Sequence, residues 1–273
     1  MVVAEAHAPD APAREKPLLR CRGVSKRFSN GTLALRDVDL QIGQHEFLAL
    51  LGPSGCGKST LLKLMSGLGE PSAGEIDWPT STYDAAGRAR PDLSFVFQEP
   101  TLLPWATALR NVALPLKLAG VSKPERLVSA AEALTAVGLA SFRNAYPREL
   151  SGGMKMRVSI ARALVTNPRI LLMDEPFAAL DEITRSRLND DLLELWRRDR
   201  FTVVFVTHSV YESVFLAQRI VVMAARPGRV TIDLRVDEPY PRRASYRTSA
   251  VYASHCEQVS AALETAMAER RLG

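Results

Sequence analysis

The run Gly52-Pro53-Ser54-Gly55-Cys56-Gly57-Lys58-Ser59-Thr60 follows directly on the apolar stretch Phe47–Leu51. It matches G-x-x-x-x-G-K-[ST] in the strand, loop and helix setting where that pattern cradles phosphates. Glycines let such a loop curl so that successive backbone N–H groups point at phosphate oxygens, and the helix behind it turns its positive N-terminus to the same anion. Lys58 adds a mobile full charge for the terminal phosphates. Ser59 offers a hydroxyl to Mg²⁺, a hard cation that keeps several waters and takes only one or two protein oxygens beside the phosphates. The chemistry implied is the binding of a nucleoside triphosphate. Cys56 is incidental to it; lying against the phosphates, its thiol is either a point of attack for oxidants or inert, as loop cysteines more often are.

Two further groups carry chemistry. Ile170-Leu171-Leu172-Met173-Asp174-Glu175 is an apolar strand that stops at two carboxylates, where an α/β sheet presents groups to a ligand. Beside a phosphate loop, Asp174 is expected to serve Mg²⁺ and its waters and Glu175 to act as general base; a helix-cap pair ahead of Pro176 is the plainer alternative. Leu150-Ser151-Gly152-Gly153-Met154 sets a serine and two glycines before a helix, exposing a second set of N–H groups to an anion, or simply capping that helix.

The elements that must position these groups follow from periodicity. Residues 18–24 and the alternating Val38, Leu40 and Ile42 read as strands ahead of the buried strand at 47–51. A helix is expected over 57–67, a break rich in turn formers over 70–92, and a strand over 93–97. Between Gln98 and Ser151 five prolines punctuate short helical segments, the mark of an inserted helical subdomain at about 99–160. Strands at 170–173, 202–206 and 220–223 then alternate with helices, which implies a largely parallel α/β sheet, with an edge strand over 230–236. Residues 1–17 read as a disordered tail, 18–236 as the main domain, and 237–273 as a Pro/Arg-rich linker and a helix from about 254 to 271.

Composition narrows the rest. The 273 residues are 47% hydrophobic and 24% charged, with no apolar run as long as the roughly 18 to 20 residues of a membrane span. Cys21, Cys56 and Cys256 are widely spaced and odd in number, which points to reduced thiols and away from a disulfide frame. The net charge of +5 is spread over scattered arginines, so a solvated basic surface is favoured over a nucleic-acid footprint.

The order phosphate loop, Gln98, Leu-Ser-Gly-Gly, Asp174-Glu175, Ala179-Leu180-Asp181 and Thr207-His208 resembles the ATP-binding cassette (ABC) family, the ATPase subunits of membrane transporters, over about residues 18–230. The resemblance implies an α/β P-loop NTPase fold with an antiparallel β subdomain and an inserted helical one. It implies a head-to-tail homodimer in which Ser151, Gly152 and Gly153 of one copy close over the ATP and Mg²⁺ held by the other. Phe28 would stack on adenine, Gln98 would contact Mg²⁺ and the attacking water, His208 would hold the γ-phosphate, and Asp181 would bridge the copies.

The usual glutamine after Leu-Ser-Gly-Gly is Met154 here. With residues 98–105 and 181–185, it resembles the bacterial importer branch for nitrate, sulfonate and taurine. That branch implies two integral-membrane permease subunits, an extracytoplasmic solute-binding protein, a place on the cytoplasmic face of the inner membrane, and no nucleic acid. Leu102, Leu103 and Trp105 would either line the groove that receives the membrane subunit or pack inside the helical subdomain. The alternative class is a non-transport cassette acting on DNA or ribosomes, whose members carry coiled-coil arms or paired cassettes.

Overall fold

The computed structural model describes residues 16–80, 82–83, 89–90 and 92–268. Most of the expected N-terminal tail, and the end of the terminal helix, lie outside the described residues. The chain opens with β1 (Leu19–Arg27), β2 (Leu33–Ile42), β3 (Phe47–Leu51), α1 (Lys58–Met65) and β4 (Ala73–Asp77), then the short β5 (Thr82–Tyr83) and β6 (Ala89–Arg90), and β7 (Leu93–Val96). Helices α2 (Ala108–Val112), α3 (Leu114–Leu118), α4 (Lys123–Ala136) and α5 (Gly152–Leu164) follow. Then come β8 (Ile170–Asp174), α6 (Glu182–Asp199), β9 (Thr202–Thr207), α7 (Val210–Leu216), β10 (Arg219–Ala224), β11 (Arg229–Arg235) and α8 (Ala250–Ala268).

Six strands form the central sheet in the order β11-β10-β3-β9-β8-β7, parallel except for the edge strand β11. Its inner strands read as unbroken apolar runs because both faces are covered. Phe47, Ala49 and Leu51 of β3 enter one hydrophobic core with the helical subdomain and α8, while Leu48 and Leu50 enter a second with β1, β2 and α1. The same alternation divides Leu171 and Met173 from Ile170 and Leu172 on β8. Register places the C-terminal ends of four strands side by side: Leu51 pairs with Thr207, Asp174 with Val206, and Val96 with Met173.

The stretch expected as a break over 70–92 instead holds β4, which pairs antiparallel with β1 in a three-stranded sheet ordered β2-β1-β4. The misreading has a cause in Gly74. A glycine normally signals a turn, but here, at φ 79°, it lets β4 approach β1 so closely that a Cβ would fall 2.3 Å from the Gly23 carbonyl oxygen.

A second difference lies at the other end. The segment expected as a linker packs into the large core through Tyr240 and Tyr246, and the terminal helix begins at Ala250, four residues earlier than expected.

Candidate active site

The phosphate loop leaves β3 and enters α1 through backbone positions that only glycine takes without strain. Gly55 has φ 77° and Gly57 φ 93°, and a Cβ on Gly57 would lie 2.6 Å from Leu35 Cδ2. Gly52 has the tighter fit: a Cβ there would meet the Met223 carbonyl oxygen at 2.5 Å and Cys56 Sγ at 2.8 Å. Gly228, in the β10–β11 turn, presses on the loop from below, where a Cβ would reach the Cys56 carbonyl oxygen at 2.1 Å. No local pattern pointed to Gly228.

Lys58 is buried, and its ammonium donates to the loop's own Gly52 and Pro53 carbonyls at 2.8 and 3.2 Å. Its Nζ also stands 3.8 Å from Glu175 Oε1. Ser59 Oγ donates to Asp174 Oδ1 at 2.7 Å, and His208 Nδ1 lies 3.3 Å from Glu175 Oε2. Two sets of side chains therefore meet here, Lys58 with Glu175 and His208, and Ser59 with Asp174, from residues up to 150 positions apart, because α1 begins and β8 and β9 end at the same C-terminal end of the parallel sheet. Burial pushes the Asp174 carboxyl up, against the Ser59 hydroxyl and the two lysines, Lys63 and Lys58, that pull it down. Glu175 stands at φ 47°, a left-handed backbone that non-glycine residues rarely take, with its N–H on the Val206 carbonyl at 3.0 Å.

The other expected site residues do not join this cluster. Gln98, exposed, lies two residues past the end of β7, the strand next to β8. Phe28, at the turn after β1, is 44% exposed with Lys26 Nζ 5.9 Å from its ring centroid, so it is not part of the core. Ser151 caps α5, accepting from Met154 N at 3.3 Å. The two glycines behind it lie against the loop after Glu175 and the start of α6: a Cβ on Gly152 would rest 3.5 Å from Leu180 Cδ2, and one on Gly153 would strike Thr184 Cγ2 at 2.7 Å. Asp181 caps α6, and the hydrogen bond from Thr184 N holds its carboxyl low.

Ser59 and Asp174 supply two hard oxygen donors in contact, and among the described residues no cluster of three or more His, Cys, Asp or Glu side chains could cage a metal. Two protein oxygens suit Mg²⁺, which takes its remaining ligands from phosphate and water.

Sequence comparison decides the family. The ABC transporter family matches residues 35–178. The chain is 45% identical to the nitrate import ATP-binding protein of a Synechocystis species, over 82% of this chain and 84% of that one. This chain belongs to the ABC transporter family. It is an ATP-hydrolysing cassette. The cassette is also 43% identical to the aliphatic sulfonates import ATP-binding protein of Bacillus licheniformis, over 90% and 94% of the two chains. Among solved structures it superposes on a dimeric ATP-binding cassette bound to ADP and phosphate, with TM-score 0.69 and 34% identity over 81% of this chain and all of that one.

The cassette's Cys56 has the surroundings of an inert thiol. It is fully buried, and burial pushes its pKa up despite the nearby Lys58. The expected outcome is slow maleimide labelling of the native chain at Cys56, equal with and without ATP, and fast labelling once urea opens the fold. Fast native labelling that ATP blocks would reinstate a reactive thiol.

Proposed function

We propose that the chain is the ATPase subunit of an importer for a small solute of the nitrate, sulfonate or taurine kind. It works as a head-to-tail homodimer beneath two membrane-spanning permease subunits, on the cytoplasmic face of a bacterial inner membrane, with an extracytoplasmic binding protein delivering the solute. The observation that carries the ATPase half is the meeting of Lys58, Glu175 and His208, with Ser59 on Asp174 beside them, at the C-terminal end of the parallel sheet. The transport half rests on near-full-length likeness to two import ATP-binding proteins. No helix among the described residues is long and apolar enough to cross a membrane, consistent with a separate permease. Residues 18–236 form the cassette, with the helical insertion at about 99–160.

ATP binding draws Lys58 Nζ from the Gly52 and Pro53 carbonyls onto the phosphates, where the loop N–H groups and the start of α1 also point. Glu175 orients the attacking water and takes its proton, and His208, held against the same carboxylate, meets the γ-phosphate. Ser59, Asp174 and Gln98 are the residues to hold Mg²⁺, which when bound supplies charge neutralisation on the phosphates. Phe28, exposed at the turn after β1, stacks on adenine. Gly152 and Gly153 open α5 behind the capping Ser151, in the first turn, where backbone N–H groups have no partner within the helix, and these three residues take the ATP of a second copy.

Trp105 supports docking to the permease. Buried Asn111 fixes its loop, accepting from Leu103 N at 2.7 Å and donating to the Leu103, Ala106 and Thr107 carbonyls, while the indole itself is 73% exposed. Leu102 instead packs against the large core.

The test is affinity purification of the Glu175→Gln chain from native membranes in ATP and Mg²⁺, followed by mass spectrometry. A co-purifying multi-span membrane protein is the expected result. Nucleic acid or ribosomal proteins with no membrane partner would overturn the transport reading and leave the ATPase standing.

A further inference from the structure

Glu212 is a buried carboxylate that the hydrolytic scheme above does not use. It lies on the first turn of α7, four residues beyond His208. Its Oε2 accepts from the Thr207 hydroxyl at 2.5 Å. That hydroxyl in turn accepts from Ser209 N at 3.0 Å, which fixes it as donor to the carboxylate. Ser209 Oγ closes the circuit by accepting from Glu212 N at 3.3 Å. Both chain neighbours of His208 are therefore tied to one acid.

The other oxygen faces the opposite way. Glu212 Oε1 is buried without a hydrogen bond and stands 3.9 Å from Arg185 Nε. Arg185 is the clasp of the segment between Glu175 and α6. Its Nη2 donates to the Leu180 carbonyl at 2.8 Å and its Nε to the Phe177 carbonyl at 3.3 Å. Those carbonyls frame the loop that ends in Asp181, the residue proposed to meet the partner copy. Burial pushes the Glu212 carboxyl up, with Thr207 and Arg185 pulling it back. An acid kept in the interior at this cost, where an apolar side chain would fill the space, calls for a task that its charge performs.

We propose that Arg185 and Glu212 are positioning residues that tie the Asp181 loop to the His208 loop, so that a partner copy seated on Asp181 sets where His208 stands for hydrolysis. The link rests on the dimer and on the role of His208 given above. It transmits through rigid parts: a guanidinium fork on two carbonyls, one ion pair, and one short hydrogen bond to the residue before His208. Because none of these atoms touches the phosphate loop, loss of the link leaves ATP binding intact and slows the chemical step alone.

Steady-state ATPase kinetics of full-length Glu212→Gln, Arg185→Gln and the double variant test this, beside His208→Ala. Glutamine keeps an acceptor for Thr207 but no charge for Arg185. Each single variant is expected to lose about tenfold in kcat with KM for ATP unchanged within about twofold, and the double variant to be no slower than the slower single. Arg185→Lys, which keeps the charge, is expected to recover part of the loss. Unchanged kcat, a parallel rise in KM, or losses that multiply in the double variant would each overturn the link. If those variants are normal while His208→Ala is inactive, the link fails and the reading of the site stands. If His208→Ala is itself fully active, that reading fails and the link falls with it. Melting temperatures within a few degrees of the parent identify the folded variants, and Thr207→Val, which cuts the same link at its other end, supplies the kcat test where a charge variant does not fold.

Discussion

Glu175→Gln is expected to cut ATP turnover by about two to four orders of magnitude while ATP still binds. Three features set the expectation. The Glu175 backbone is held at φ 47° by the bond from its N–H to the Val206 carbonyl, so its side chain is aimed by the sheet and not by a mobile loop. Its two oxygens divide between Lys58 at 3.8 Å and His208 at 3.3 Å, which puts it between the phosphate-loop ammonium and the imidazole. Glutamine copies the shape and can keep a hydrogen bond to His208, but it has no carboxylate to take a proton from water. It also removes one negative charge near the γ-phosphate, so ATP is expected to bind at least as tightly. The checks are single-turnover hydrolysis and light scattering in ATP, in which the variant should accumulate as a dimer with unhydrolysed nucleotide. Hydrolysis at a near-normal rate would remove Glu175 from the role of base.

Arg242→Ala is expected to have the largest effect on stability, about 3 to 5 kcal/mol. The guanidinium is 5% exposed and acts as a cap for α7. Nη1 donates to the Val214, Phe215 and Ala217 carbonyls at 2.8, 3.1 and 2.8 Å, and Nη2 to Val236 and Glu238 at 3.2 and 3.1 Å. The last carbonyls of a helix have no partner within it, and here they point into a core where water does not reach. Tyr240 and Tyr246 lie against the guanidinium, with ring centroids 4.4 and 5.7 Å away. Alanine strands several buried acceptors at once, and each costs about 1 to 3 kcal/mol, partly relieved by local collapse. Lysine rescues only in part, since one ammonium cannot replace a planar fork of five donors. Thermal melting monitored by circular dichroism is the measurement. A loss of this size lowers the midpoint by about 10 °C in a chain of this length, and an unchanged midpoint would mean that the carbonyls find other partners.

Arg242 also marks where reading the chain as a line of residues ran out. Pro241-Arg242-Arg243 looks like a solvated basic linker, and nothing local distinguishes Arg242, buried on five carbonyls, from Arg243 beside it, which is exposed. The same holds for Arg185 and Glu212, whose partners lie on other loops, and for β4, whose glycine gives the same local signal for a turn as for a close strand crossing.

By itself the sequence determined the elements whose information is local. The phosphate loop was legible because backbone curl needs glycines at fixed offsets, and β3, β8 and β9 because a strand covered on both faces must be continuously apolar. The carboxylates after β8 were legible because they interrupt such a run. Only the tertiary structure decided what depends on adjacency between distant segments. Strand order brought Ser59 to Asp174 and His208 to Glu175, the apolar core left Phe28 and Trp105 outside, and buried carbonyls at the end of α7 recruited Arg242. Periodicity encodes which face of an element is buried, whereas the partner of a buried polar group is fixed only when the elements meet.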